Sequence, residues 1–404
     1  MSKLSDLTSQ CIRCGFCIES CPTFILTGDE SQSPRGRITL AREADETQSW
    51  SPSTHQAIDT CLGCRACETA CPSGVQYGKI LELAREQSQL INGNSAQKKF
   101  VTNLTHPSLT RLQLTLSSFL PSKKIPGFLS QILSGQPAEA ESPQLPELNP
   151  WPPIPTHELP PIKGDVYLLE GCVMQVLYPG VHEATRRLLR RVGYQVRESK
   201  AHCCGALHAH AGYLPEAESR AQSLAQAMPD NLPIIINSAG CGSTIKEYGT
   251  IIGKGLEDFA SRSFDSTTFL KQNGLANLLA SSNKLPEVNV TYHEACHLIH
   301  GQKISQTPKD LLQSIPKLTL IPLPEADLCC GSAGTYNVFQ PKMARDLLNR
   351  KWANVEKTKA PILVTGNPGC QSWIEQANRE HDHPIRVLHT LELLESAFSG
   401  LRID

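Results

Sequence analysis

Val166-Tyr-Leu-Leu-Glu170 is a short apolar run that predicts a β-strand, and Cys172 follows it in a loop. Apolar residues then recur at Val181, Ala184, Leu188 and Leu189, the spacing of one helix face. Gly193 closes that helix before a second strand, Tyr194 to Arg197. Strand, loop, helix and strand in this order predict parallel pairing, because the crossover helix returns the chain to the same end of the sheet. Further on come Cys203-Cys204-Gly205, a strand at Ile234-Ile-Ile236, and Cys241. The same order returns as Cys296, Cys329-Cys330-Gly331, a strand at Ile362-Leu-Val364, and Cys370. The cysteines are separated by 30 and 36 residues in the first copy and by 32 and 39 in the second. This is an internal duplication of about 120 residues per copy. The expected fold of the C-terminal part is therefore two α/β units, 163–285 and 286–404, sharing one body.

The N-terminal part carries a different pattern. Cys11-Ile-Arg-Cys14-Gly-Phe-Cys17-Ile-Glu-Ser-Cys21-Pro22 and Cys61-Leu-Gly-Cys64-Arg-Ala-Cys67-Glu-Thr-Ala-Cys71-Pro72 both read C-x2-C-x2-C-x3-C-P. Soft thiolates at this spacing deliver three ligands from one short loop to one face of an iron–sulfur cubane. Zinc ribbons also use C-x2-C pairs, but a doubled run of four cysteines closed by proline is far more specific. The fourth thiolate must come from elsewhere. In two-cluster ferredoxins the last cysteine of each run ligates the other cluster. Carried over residue by residue, that rule gives one [4Fe–4S] cluster Cys11, Cys14, Cys17 and Cys71, and the other Cys21, Cys61, Cys64 and Cys67. A 39-residue spacer between the runs is long for a compact ββαββα ferredoxin. It predicts a largely helical two-cluster module over 1–98, with a connecting helix from Ile38 to Ala44.

The remaining features bound the reading. Net charge is −1, from 38 basic and 39 acidic residues, so no global field selects nucleic acid. All 16 cysteines fall in these four groups, which reads as metal ligation in a reducing compartment and not as a disulfide scaffold. The start, MSKLSDLTSQ, lacks the apolar core of a secretory signal, and no apolar stretch is long enough to span a bilayer. A cytoplasmic location follows, with peripheral attachment to the inner face of the cell membrane left open. Residues 99–134 predict short helices broken by Pro107, Pro121 and Pro126. Residues 135–162 hold nine prolines and predict an extended linker, so 99–162 separates the N-terminal module from the duplicated body. The apolar residues Leu104, Leu109, Leu112, Leu114, Leu116, Phe119 and Leu120 suit either a docking face or a helix packed on the module.

Cys203-Cys204-Gly205 and Cys329-Cys330-Gly331 resemble the cores of the CCG cysteine-rich domain. That family includes the catalytic subunit of heterodisulfide reductase and cluster subunits of several flavin dehydrogenases. Its fullest form supplies five thiolates per repeat to a non-cubane cluster. Here the positions three residues from Cys241 are Ser238 and Thr244, and those three from Cys370 are Asn367 and Trp373. Each repeat thus offers four thiolates: Cys172, Cys203, Cys204 and Cys241, then Cys296, Cys329, Cys330 and Cys370. Four suffice for a further iron–sulfur cluster or a zinc ion, and buried thiols retained for packing are the alternative. His202, His208, His210, His293 and His297 lie close by in sequence as candidate hydrogen-bonding partners of such a site.

Over nearly its whole length the chain resembles the iron–sulfur subunit family of bacterial glycolate oxidase. The carrying segments are Cys21-Pro-Thr-Phe, Thr27-Gly-Asp-Glu30, Pro34-Arg-Gly-Arg-Ile38, Cys71-Pro-Ser-Gly-Val75, Leu169-Glu-Gly-Cys172, Ser238-Ala-Gly-Cys-Gly242, Lys246-Glu-Tyr-Gly249 and Cys329-Cys-Gly-Ser-Ala-Gly-Thr-Tyr336. The resemblance implies an electron-transfer subunit of an oxidoreductase complex with a non-NAD acceptor. FAD-binding partner subunits would oxidise glycolate to glyoxylate, and electrons would leave through this chain toward a membrane quinone. No G-x-G-x-x-G follows a strand, so flavin belongs on a partner and no catalytic residue is expected here. Cluster subunits of anaerobic glycerol-3-phosphate or lactate dehydrogenases, and a heterodisulfide reductase-like thiol/disulfide enzyme, are the alternatives. Arg35 and Arg37, between the cluster runs, suit hydrogen bonding to ligand-bearing backbone, docking of a partner carboxylate, or a plain solvated surface.

Overall fold

The computed structural model describes residues 3–93, 95–118, 151–381 and 384–400. Among the described residues eight strands, all after residue 163, form two four-stranded parallel sheets. The first contains β1 (Gly164–Leu169), β2 (Tyr194–Arg197), β3 (Ile234–Ile236) and β4 (Ser263–Asp265) in the order β2-β1-β3-β4. The second contains β5 (Val288–His293), β6 (Leu318–Ile321), β7 (Ile362–Thr365) and β8 (Arg386–His389) in the order β6-β5-β7-β8. The two orders are the same, as a duplication requires. In each sheet the chain runs outward from its first strand to the second, then crosses back to the other side. That reversal leaves a crevice at the carboxyl ends of β1 and β3, and of β5 and β7, where ligands of open parallel sheets bind.

The two units share one core. Helix Pro179–Arg191 packs on Thr390–Ser399, and helix Ser266–Gln272 packs on Gln306–Gln313. Each contact pairs the helix after a unit's first strand with the helix after the other unit's last strand, so the arrangement is pseudo-two-fold. Val181, Leu188 and Leu189 from one unit and Leu311, Leu312, Leu391 and Leu394 from the other are fully buried in a single cluster. Each such side chain contributes roughly 1.5–3 kcal/mol of apolar burial. Polar groups sit inside this seam too. Glu395, with no exposed surface, accepts from Arg187 Nε at 2.8 Å and Arg191 Nε at 3.1 Å. His389 caps the last helix by accepting from Leu391 N while Glu392 accepts from the His389 amide, a capping box.

Between residues 3 and 118 the described regular elements are helices. The longer ones are Pro34–Thr47, Tyr77–Asn92, Ser95–Leu104 and Pro107–Ser118. The first extends beyond the expected Ile38–Ala44 at both ends, because Ser33 caps the Gly36 amide and Pro34 fits the first turn. Ile38, Ala41, Ala44, Ile58, Ile80, Leu81 and Ala84 form its core together with Cys61 and Cys67. Of the linker expected over 135–162, residues 151–162 hold one short 3-10 turn, Thr156–Glu158, and the rest lies outside the described residues. Leu109 and Leu112 are exposed, and Phe119 and Leu120 also lie outside them. Among the described residues no helix is long and apolar enough to cross a membrane.

The Glu395 triad ties the two units together, and removing its carboxylate leaves buried Arg187 without an anionic partner and Arg191 with only the partly exposed Glu158. The Glu395→Leu variant is therefore expected to lose about 3–5 kcal/mol of stability in urea denaturation followed by circular dichroism. A loss under 1 kcal/mol contradicts this view of the seam.

Candidate metal centres

The two N-terminal cysteine runs fold into loops of one shape. Positive φ occurs at the second and fourth residues after the leading cysteine in both: Arg13 (58°) and Gly15 (88°), then Gly63 (66°) and Arg65 (65°). Left-handed residues at alternate positions curl a short chain around a centre. At Gly15 a Cβ would also lie 2.8 Å from Arg35 Nη1, so the arginine can lie flat on the loop only because the glycine is bare. Arg35 is held there by Glu30 (Nε to Oε1, 2.7 Å) and reaches the Arg13 carbonyl at 3.5 Å.

Cys11, Cys14, Cys17 and Cys71 line one small cavity, with Cys67 and Tyr77 at its inner wall. Cys21, Cys61, Cys64 and Cys67 line a second, and Tyr77 borders that one as well. The chain thus brings together the two quartets expected from crossed ligation, on either side of a shared wall. The first quartet is near the surface: Cys14 is exposed, and Ile12 and Phe16 beside it are 69% and 70% exposed. The second quartet is wholly buried.

Burial raises the Cys64 and Cys67 thiols well above their ordinary range, so unaided they stay protonated. Burial acts on Cys61 too, but the guanidiniums of Arg37 and Arg85 outweigh it and hold this thiol below the ordinary value. Arg37, only 1% exposed, donates to the Ala57 carbonyl (2.6 Å), to Thr23 Oγ1 (3.0 Å) and to Gln32 Oε1 (2.8 Å), with Cys21 Sγ at 3.9 Å. The structure therefore separates the two arginines: Arg35 lies on the outer loop, and Arg37 is a buried cation facing the inner quartet. Such a donor set suits a centre of soft ligands carrying net negative charge.

In the duplicated body the cysteines follow the carboxyl ends of the strands. Cys172 and Cys296 come after β1 and β5, the CCG segments after β2 and β6, and Cys241 and Cys370 after β3 and β7. One cavity of about 450 Å³ lies between the units, lined by Cys172, Cys203, Cys204 and Cys241 and by Cys296, Cys329 and Cys370, with Cys61 at its edge. Cys330 is completely buried and does not line it. Cys172 and Cys203, Cys204 and Cys241, and the series Cys296, Cys329, Cys330 and Cys370 lie close enough for neighbouring thiols to shift one another's ionisation. The CCG glycines have one explanation. Gly205 and Gly331 have φ of 81° and 93°, and a Cβ there would meet the Ala217 or Ala344 carbonyl at 2.7 or 2.5 Å.

Three residues before each repeat's last cysteine stands a hydrogen-bonding side chain. Asn367 Nδ2 donates to Cys370 Sγ at 3.5 Å, and Ser238 hydrogen-bonds Cys241. Asn367 Oδ1 also accepts from the Gly240 amide (3.1 Å), and Gly366 O from the Ala239 amide (3.1 Å), so the two terminal-cysteine loops bind each other across the pseudo-dyad. The sequence marks Ser238 and Asn367, three positions before the last cysteines, but not the contact that the two segments make with each other.

The N-terminal module seats its inner quartet on this body. Leu62 and Cys64 share a buried cluster with Cys296, Cys329, Cys330 and Cys370, and Cys64 lies close enough to raise the Cys329 thiol further. His297 Nε2 meets the Gly63 carbonyl at 3.1 Å, Tyr336 Oη donates to the Thr60 carbonyl at 2.9 Å, and Arg65 pairs with Glu247 at 2.7 Å. His210 and His297 stand edge to face at the cavity wall, 4.9 Å apart, both lowered to about 3 by burial and therefore neutral. His208 is buried away from it, His202 is half-buried near Glu170, and His293 lies behind the cavity beside Cys330 and Cys370.

Comparison with known proteins matches separate parts of the chain to two families. Residues 8–75 match a family described as "4Fe-4S dicluster domain", and residues 166–246 and 290–375 match "Cysteine-rich domain". The chain is 32% identical over 408 residues to "Glycolate oxidase iron-sulfur subunit" of Escherichia coli (strain K12), covering 96% of this chain and 93% of that one. It is 32% identical over 418 residues to "Probable glycolate oxidase iron-sulfur subunit" of Bacillus subtilis (strain 168), with the same coverage. A crystal structure of a hypothetical protein from Helicobacter pylori shares the fold at a TM-score of 0.53 and 10% identity, covering all of this chain and 74% of that one.

Arg37 supplies the buried positive charge nearest the inner quartet. The Arg37→Leu variant is expected to keep its iron and to lower the potential of one centre by on the order of 50–100 mV, the effect of a unit charge several ångströms away at an effective dielectric of about 20. An EPR-monitored redox titration checks this, and an unchanged potential contradicts it.

Proposed function

The chain belongs to the glycolate oxidase iron–sulfur subunit family, and from that premise we propose that it carries electrons out of a flavoprotein that oxidises glycolate to glyoxylate. It is an iron–sulfur electron-transfer subunit; the substrate, the ligand assignments and the acceptor are our reading. Glycolate gives up two electrons and two protons, and a quinone takes up the same number, so the overall reaction balances. A flavin delivers these electrons one at a time, which suits a relay of one-electron carriers.

In this reading Cys11, Cys14, Cys17 and Cys71 hold one [4Fe–4S] cluster, and Cys21, Cys61, Cys64 and Cys67 hold the other. When bound, each cluster accepts and releases a single electron. The remaining contributions are the chain's own. Arg37 and Arg85 offset negative charge at the buried quartet, and the Cys67–Tyr77 wall keeps the two centres adjacent. Ile12 and Phe16 present an apolar rim around the outer centre, suited to a partner protein. The observation that carries the reading is the pair of adjoining four-cysteine cavities, one at the surface and one buried against the cysteines of the duplicated body.

The domain reading follows: a two-cluster module over 1–98, a connecting segment over 99–162, and cysteine-rich repeats over 163–285 and 286–404. The eight thiols of the repeats extend the metal-binding capacity beyond the N-terminal pair. FAD-binding subunits are the expected partners, and the cytoplasmic face of the cell membrane, where quinone is reached, is the expected place of work.

The test is capture of the tagged full-length chain under anaerobic conditions with its bound partners, assayed by dye reduction. Flavin in the captured fraction and dye reduction with glycolate support the reading. Oxidation of glycerol 3-phosphate or lactate with no response to glycolate overturns it. A Phe16→Glu variant is expected to retain iron and lose at least about half of the coupled rate, as a charge placed in an apolar rim should.

A further inference from the structure

His293 is the last residue of β5, and its equivalent in the other unit is Leu169. Two registers fix that equivalence. Each residue stands three positions before the first cysteine of its repeat. Each also pairs with the residue five positions before the last cysteine, Leu169 with Ile236 and His293 with Thr365. In the first unit the position is an ordinary core leucine, 1% exposed. In the second, a histidine is buried equally deeply, neither ring nitrogen makes a well-formed hydrogen bond, and the one hydrogen-bonding group that acts on the ring is the Ala326 backbone, an acceptor. The ring's lone pair therefore faces no donor, a position that suits a ligand bond.

The donors are at hand. A ring nitrogen of His293 and the sulfurs of Cys330 and Cys370 all lie within 4.8 Å of one another, and all three residues are buried. Among the described residues no other set of three histidine, cysteine or carboxylate donors is drawn together in this way. The spacing decides the kind of occupant. Around one tetrahedral ion, bonds of ~2.0–2.3 Å put neighbouring nitrogen and sulfur ligands about 3.5–3.8 Å apart. On a cubane each ligand binds a different iron, and the ligand atoms stand roughly 6 Å apart.

We propose that the second cysteine-rich repeat carries a single tetrahedral metal ion of the zinc class, held by His293, Cys330 and Cys370. The ion ties together the end of β5, the CCG loop after β6 and the loop after β7, the three segments that meet at the crevice of this sheet. Lys351, itself 1% exposed and hydrogen-bonded to the Glu325 and Ala326 carbonyls, balances the thiolate charge from the far side. Asn367 orients Cys370 by its hydrogen bond to Sγ. The first unit, with Leu169 in this place, has no nitrogen donor at the equivalent position, so the two repeats differ in what they bind. This deepens the reading of the repeats as metal-binding units and rests on it.

The test uses the full-length chain, prepared anaerobically and titrated with zinc, with zinc and iron measured by mass spectrometry and the zinc site by X-ray absorption. The expected result is about one tightly bound zinc per chain, with an imidazole in its scattering shell. His293→Leu installs the residue the first repeat already carries and should fold. It should weaken zinc binding at least tenfold and leave iron unchanged. Cys330→Ser should do the same. Equal zinc binding by the parent and His293→Leu, no bound zinc in the parent, or a zinc shell of sulfur alone overturns the proposal. Missing iron in the parent with zinc in place would instead count against the N-terminal relay, so the two failures can be told apart.

Discussion

Parallel strands deliver every connection that leaves their carboxyl ends to one edge of the sheet, and the duplicated body depends on that constraint. In each unit the connections after the first three strands carry all four cysteines to the point where the strand order reverses. The glycine of each CCG segment lets a later helix, Leu214–Ala227 or Pro341–Thr358, approach closely enough to close this cage. Duplication about a pseudo-dyad then sets two such edges around one cavity, held by the exchanged hydrogen bonds of Gly366 and Asn367. The shared helical core and the Glu395 triad keep the two halves in register.

The N-terminal module solves a different problem, the burial of thiols that are useful only as thiolates. Desolvation works against ionisation at Cys64 and Cys67, and in the proposed relay the bound metal would supply the compensating charge. Arg37 and Arg85 supply part of it from protein, at the one thiol of the quartet held below its ordinary range. In the proposed relay this quartet stands against the body, with Cys64 buried beside Cys296 and Cys329. The outer quartet stays near the surface, where a partner can reach it.

Much of this was legible in the sequence because it is local. The two C-x2-C-x2-C-x3-C-P runs, the duplicated cysteine spacing, and the strands at Ile234–Ile236 and Ile362–Thr365 all announce themselves within a few residues. What escaped notice depends on contacts between distant segments. Arg37 suits backbone hydrogen bonding, partner docking or a solvated surface equally well in the sequence, and only the approach of Gln32, Ala57 and Cys61 makes it a buried cation. His293 looks like any histidine near a cysteine until strand register sets it against Leu169. The meeting of Cys64 with the second repeat joins segments more than 200 residues apart, beyond any pattern read along the chain.

The central claim is that the two N-terminal quartets hold neighbouring clusters that act as one relay. Low-temperature EPR of the fully reduced, iron-quantified chain tests it most directly. Two clusters separated only by the Cys67–Tyr77 wall should give a spectrum broadened by spin–spin interaction, with about eight irons in the N-terminal pair. Two sharp, independent signals, or zinc in place of iron at Cys11–Cys71, would contradict the account.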